Sequence, residues 1–149
     1  MKISFLLLLL LTGCQMKTAD DLDLGKSLPA GARIIDNAFI QNSVNGFGIG
    51  NIIIYKNIKY YIRLDSNKFV VYIGAFDKKF KTEEGVINGE TFKELESKIK
   101  MKSFVPGYGY EVNLYSGWIA LFSNEFILET GKILDTSKVL NIYKPSIIK

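Results

Sequence analysis

A period of two runs through the middle of the chain. Ile58, Tyr60, Ile62 and Leu64 alternate with Lys59, Tyr61 and Arg63, the spacing of a strand that turns one face to a core. Upstream, Asn51–Tyr55 holds three consecutive isoleucines and ends at Lys56-Asn57, which predicts a hairpin into the Ile58 strand. Downstream, Asp65-Ser66-Asn67-Lys68 has the composition of a turn, and Phe69–Phe76 is apolar on both faces, as a central strand covered on both sides would be. Residues 51–76 therefore predict a three-stranded meander.

The period then lengthens. Thr91-Phe-Lys-Glu94 fits a capping box, in which the Thr and Glu side chains satisfy the first free amides of a helix. Phe92, Leu95 and Ile99 follow at helical spacing, with Glu94/Lys98 and Glu96/Lys100 as i,i+4 pairs on the wet side. The expectation is one amphipathic helix over about 91–101, packed on the sheet. After Pro106-Gly107, Tyr108, Tyr110, Val112 and Leu114 alternate with polar residues and glycine, and Ser116-Gly117 turns the chain into Trp118–Phe122. Short strands are expected at Phe126–Glu129 and Val139–Tyr143. The fold class predicted is α+β: an antiparallel meander sheet of about six strands carrying one helix.

The N-terminus follows a different rule. Met1-Lys2 is a short basic start, Ile3–Leu11 is wholly apolar, and Thr12-Gly13 places small residues before Cys14. This is the layout of a secretory signal, too short for the roughly 20 residues of a bilayer-spanning helix. Leu11-Thr12-Gly13-Cys14 resembles the lipobox of bacterial lipoproteins. The resemblance implies cleavage before Cys14, lipidation of its thiol, and membrane anchoring by two or three acyl chains, far firmer than a single reversible one. With Gln15 after the cysteine, it further implies an outer-membrane location facing the periplasm. The domain plan is then 1–13 signal peptide, 14–32 lipidated Cys and flexible tether, and 33–149 a single domain. The tether reading rests on the lack of a sustained period in residues 15–31 and on their Pro and Gly; Asp20, Asp21 and Asp23 lack the Gly and distal Glu of a calcium loop.

Composition narrows the chemistry. Among 149 residues there is no His and one Cys, so Ser-His-Asp and Cys-His pairs, HExxH metal sites, CxxC redox pairs and internal disulfides are all excluded. The net charge of +4 falls by one when Lys2 leaves with the signal, and the lysines alternate with carboxylates instead of forming a stripe, so nucleic acid is not an expected partner. Gly46-x-Gly48-x-Gly50 lacks the GxGxxG spacing and runs into a β-rich stretch, so no helix N-terminus would face a phosphate. Glu83, Glu84, Glu111 and Glu125 show no spacing that selects a catalytic pair. No cofactor, metal or catalytic residue is expected.

Two internal echoes stand out. Gly46-Phe-Gly-Ile-Gly50 matches Gly85-Val-Ile-Asn-Gly89, and Leu64-Asp-Ser-Asn-Lys68 matches Leu134-Asp-Thr-Ser-Lys138. These fit two related halves, and equally fit shared turn chemistry. The run Phe80–Leu95, with its Gly85-Val-Ile-Asn-Gly89-Glu-Thr91 loop, resembles small envelope lipoproteins related to the outer-membrane assembly factor BamE and to the β-lactamase-inhibitor-protein-like fold. That resemblance implies a helix on an antiparallel sheet and a binding role without catalysis.

The remaining candidate surface is aromatic. Tyr108, Tyr110, Tyr115 and Trp118 cluster around the predicted hairpin, and Tyr and Trp supply large rigid contact area at interfaces. The function expected is a membrane-anchored, non-catalytic protein-binding or scaffolding domain of the envelope. The alternatives are an inhibitor or immunity lipoprotein against a toxin or wall hydrolase and, third, a hydrolase.

Overall fold

The computed structural model describes residues 21–42, 46–122 and 132–144. The signal segment, Cys14 and the expected strand at Phe126–Glu129 lie outside the described residues. Among the described residues eight strands follow in chain order: β1 (Arg33–Asn42), β2 (Gly46–Tyr55), β3 (Ile58–Leu64), β4 (Val70–Ala75), then helix α1 (Phe92–Leu95), and β5 (Ile99–Val105), β6 (Gly109–Leu114), β7 (Ile119–Phe122) and β8 (Val139–Lys144). They form one antiparallel sheet in the order β1-β2-β3-β4-β8-β7-β6-β5. That order is two four-stranded meanders joined along β4 and β8.

This mostly-β architecture corrects the α+β expectation of about six strands with a helix over 91–101. Helix α1 has four residues and is followed by a 3₁₀ turn at Glu96–Lys98. Ile99 then begins β5 and stands opposite Leu114 of β6. Phe92 and Leu95 bury themselves from the helical turn, while Ile99 reaches the same core from a strand. Spacings of three and four are met equally by a helix and by a turn running into a strand, and the free edge of β6 decides in favour of the strand. The other miscounted region is β1 with the glycine-containing start of β2, whose three glycines hide a strand.

The hairpins of the first meander follow from local chemistry. Lys56 and Asn57 both have positive φ, 48° and 61°, the two-residue geometry whose twist matches the strands it joins. The Asp65 carboxylate accepts the backbone N–H of Asn67 and of Phe69 and so closes the β3–β4 turn.

Residues 21–32 were expected to be tether, and they are instead part of the fold. Leu22, Leu24, Leu28 and Ala32 pack on the core, and Gly25 N–H donates to Val70 O while Val70 N–H donates to Lys26 O, each at 2.8 Å. The absence of a period in this segment reflects an irregular arm, anchored by side chains that a search for helices and strands passes over.

The second meander repeats the arrangement. Gly89 N–H donates to Val139 O at 2.8 Å and Val139 N–H to Glu90 O at 2.9 Å. Ser27 bridges Phe69, and Thr91 bridges Lys138. Each arm thus docks through a Gly-x-Ser/Thr triplet, Gly25-Lys-Ser27 or Gly89-Glu-Thr91, onto the first residue of the last strand of its own meander. The Leu64–Lys68 and Leu134–Lys138 echo marks the two turns that enter those strands. The other echo does not mark equivalent places: Gly46–Gly50 lies in β2, and the counterpart of Val86-x-x-Gly89-x-Thr91 is Leu22-x-x-Gly25-x-Ser27.

The two arms cover one face of the sheet. Ile53, Ile62, Ile73, Val112, Phe122 and Ile142 meet Phe80, Val86, Phe92 and Leu95 there in the main core. The opposite face carries a smaller cluster of Tyr72, Ile119 and Tyr143, against which Ala38, Tyr61 and Leu121 pack. Ala38 reaches that cluster although β2 and β3 lie between its strand and β4, so the sheet is concave on this side. Glycines make room for the bend: a Cβ at Gly48 would stand 3.0 Å from the Arg63 guanidinium carbon, and one at Gly74 would stand 3.0 Å from the Tyr72 hydroxyl. Among the described residues no helix is long and apolar enough to cross a membrane.

Candidate functional site

The structure distributes the four sequence-predicted aromatics over separate places. Trp118 is buried on the arm face, its ring 4.6 Å from that of Phe80 with the Lys144 ammonium 5.1 Å from its centroid. It lines a hollow of about 280 Å³ under the first arm, whose rim is tied by Asp21–Lys56 at 2.6 Å and Asp23–Lys144 at 2.9 Å. Tyr110 is half-buried on the same face, against Phe104 at 5.5 Å. Tyr115 is 70% exposed at the β6–β7 turn. Beside it, Ser116 donates from its backbone N–H and its hydroxyl to the Glu84 carboxylate. Burial opposes ionisation of Glu84, but the Ser116 bonds outweigh it and hold this carboxyl below its ordinary value. Tyr108 alone of the four lies on the concave face. Tyr115 and Trp118 flank one turn but do not form a common surface with the other two.

Two other features distinguish the concave side and its margin. The first is the edge hairpin β1–β2. Phe39 and Ile49 stand opposite each other in register and are 69% and 80% exposed; Ile34 and Ile35 in β1 are also exposed. Among the described residues no strand pairs with the outer side of β1. A long apolar edge strand presents a row of backbone groups ready to pair with another chain.

The second is a cavity of about 440 Å³ in the concave face, lined by Phe39, Tyr61, Tyr72, Phe76, Gly107, Tyr108, Leu121, Leu140, Asn141 and Tyr143. Phe39 comes from the first strand and Tyr108 from the β5–β6 hairpin, so the two margins of the sheet converge on one space. Tyr61 and Phe76 meet edge to face at 4.7 Å, and Tyr72 and Tyr143 stack at 6.0 Å.

The cavity floor is polar. Tyr143 donates its hydroxyl proton to buried Glu111. The Tyr72 hydroxyl is pushed up to about 12 by burial, eased by its hydrogen bond with the Asn141 amide, so at neutral pH it remains a phenol. Asn141 is 7% exposed and its Oδ1 has no hydrogen-bond partner among the described residues; one guanidinium nitrogen of Arg63, on the same face, is in the same condition. Buried polar atoms are nearly always satisfied, so each exception calls for an explanation. The lining combines apolar walls with a few convergent polar groups, the general constitution of a ligand pocket.

Sequence reasoning missed this cavity. The doubly apolar run Phe69–Phe76 contains β4, which is central and buried on both faces as its pattern predicts, and that pattern carries no sign that Tyr72 and Phe76 also line a cavity.

No family model matches the chain, and no curated protein matches its sequence. Among solved structures, the crystal structure of the uncharacterized protein yfeY from Escherichia coli is similar, with a TM-score of 0.50 and 20% sequence identity over 76% of this chain and 80% of that one. At that identity the likeness concerns the fold alone.

Proposed function

We propose that this chain is a lipid-anchored, non-catalytic binding domain of the bacterial cell envelope, held on the outer membrane through Cys14 and contacting a protein partner along the β1–β2 edge hairpin. The lipobox-like Leu11-Thr12-Gly13-Cys14 supports the anchoring. The observation that carries the binding role is the facing pair Phe39 of β1 and Ile49 of β2, both mostly exposed, in a hairpin whose outer strand β1 has no neighbour on its outer side among the described residues. Two large apolar side chains in register across an edge hairpin are costly to leave in water, and each full burial by a partner contributes roughly 1.5–3 kcal/mol.

Palmitate labelling in the native host tests the anchor: label on wild type and none on Cys14→Ser is the expected result, and equal label on both overturns it. A photo-crosslinking residue at Phe39 or Ile49 should give a discrete protein adduct in cells, while the same residue at exposed Lys100 in β5 should not. Equal adducts at all three positions would remove the edge hairpin from consideration.

A further inference from the structure

We infer that the hollow under the first arm binds a neutral polyhydroxylated ring, a pyranose sugar, which accepts a hydrogen bond from the Tyr60 hydroxyl and lies against the aromatic rings beside it. This site is separate from the protein contact proposed for the edge hairpin and does not depend on lipidation.

Three observations support it. The first is an open donor. Tyr60 is 8% exposed and lines the hollow, yet among the described residues its hydroxyl has no hydrogen-bond partner. Asn141 Oδ1 and Arg63 Nη1 are unpartnered but enclosed by protein; the Tyr60 oxygen keeps accessible surface. Burial pushes this hydroxyl up to about 12, so at neutral pH it holds the proton it has to donate. A buried tyrosine usually finds a partner for its O–H, and here the hollow has room for one. The second observation is the wall. Tyr60, Phe80 and Trp118 form a continuous row of rings, with centroids 5.8 and 4.6 Å apart. Their negative faces attract the polarised C–H groups of a sugar. A volume of about 280 Å³ stands at the small end of ligand pockets and suits one compact ring.

The third observation sets the charge of the ligand. Three lysines, Lys56, Lys81 and Lys144, and three carboxylates, Asp21, Asp23 and Glu83, line the hollow, so its walls are neutral in sum. Two of the lysines are already tied to carboxylates, Lys56 to Asp21 and Lys144 to Asp23. An ion entering the space must compete with these pairs or be buried without a counter-charge, which is strongly unfavourable. A neutral polyol breaks neither pair. Its hydroxyls use the lone pairs and N–H groups that the pairs leave over, since a carboxylate has about four acceptor sites and an ammonium three donors. Lys144, 8% exposed, is the buried member of this set.

The test follows the fluorescence of Trp118, the single tryptophan of the chain, in the full chain solubilised in dodecyldimethylamine oxide, whose headgroup carries no sugar. The probes are the methyl pyranosides of glucose, galactose, mannose and N-acetylglucosamine. At least one should shift the emission with a Kd below about 10 mM, and the uronate and the amine of the same ring should bind roughly tenfold or more weakly. Tyr60→Phe removes a hydroxyl that bonds nothing in the protein. It should therefore leave the urea midpoint no lower than in wild type, while weakening the bound pyranoside about threefold to tenfold, the ratio one net hydrogen bond supplies. Tyr115→Phe, outside the hollow, should change neither quantity. The matching disaccharide separates the sources: binding as tight as the monosaccharide marks the end of a glycan, and loss of binding marks a free sugar. No response to any of the four pyranosides, a charged relative that binds as tightly, or unchanged affinity in Tyr60→Phe overturns the inference. None of these outcomes bears on the labelling or crosslinking results.

Discussion

The two meanders share a docking scheme and differ in what their arms become. The first has strands of 10, 10, 7 and 6 residues and an arm without regular structure; the second has strands of 7, 6, 4 and 6 residues and an arm that coils into α1. Aligned on their Gly-x-Ser/Thr triplets, the arms continue as Leu28-Pro29-Ala30-Gly31 and Phe92-Lys93-Glu94-Leu95. Both Leu28 and Phe92 reach the core. The next three positions differ: Glu94 accepts the Thr91 N–H and hydroxyl, each at 2.7 Å, whereas Ala30 has nothing to offer Ser27, and Gly31 contributes no side chain where Leu95 is fully buried. The lesson is that the dock belongs to the backbone of the triplet and the last strand, and the helical turn is an addition that one capping glutamate and one leucine make possible.

The largest effect should separate the arms at their ends. Leu95→Ala empties a fully buried site and should cost about 2–5 kcal/mol in urea denaturation. At the aligned position, Gly31→Ala places a Cβ 3.7 Å from the Tyr55 ring, ordinary contact, and should stay within about 0.5 kcal/mol of wild type. The next effect should unite the arms. Gly25 and Gly89 have φ of 73° and 91° with open space beyond, so alanine at either should cost about 1–2 kcal/mol, and similarly at both. A clear inequality would show that the two docks are not equivalent.

Smaller differences concern the cap. Thr91→Ala should cost about 1 kcal/mol, and Ser27→Ala, with no glutamate to answer it, should cost less than about 0.5 kcal/mol. The last prediction is a pH dependence. Hydrogen bonds from the Thr91 side chain and backbone hold the Glu94 carboxyl below its ordinary value of 4.5. Its folded-state pKa is depressed, so its stabilising contribution is complete above the ordinary value and is lost as pH falls through the folded one. Urea midpoints followed from neutral to acid pH should fall less steeply in Glu94→Gln than in wild type, and substitution of Ala30 by Ser should leave the profile unchanged.

Much of the sheet was legible because its signals are local. Lys56-Asn57 and Asp65–Lys68 are turns by their own chemistry, and the alternation from Ile58 to Leu64 gave the buried face of β3 correctly at Tyr60 and Ile62. Strand β5 was obscured because Phe92, Leu95 and Ile99 serve one core from two kinds of backbone. The beginning of β2 was obscured because Gly46, Gly48 and Gly50 carry no side chains to mark an alternation, although the absence of a side chain at Gly48 is what lets Arg63 lie across the strand. The cavity could not be read from pattern at all. Its walls come from β1, β3, β4, β7, β8 and a hairpin tip, and only the curvature of the finished sheet gathers them.

The ion pair between Asp21 and Lys56 has a mechanical meaning once the proposed lipid is placed on Cys14. Seven peptide steps separate that cysteine from Asp21, a leash of at most about 25 Å when fully drawn out. A domain so moored would not roam the periplasm; it would ride close to the bilayer with its β2–β3 turn held near the surface, so anything that meets it must come to the membrane.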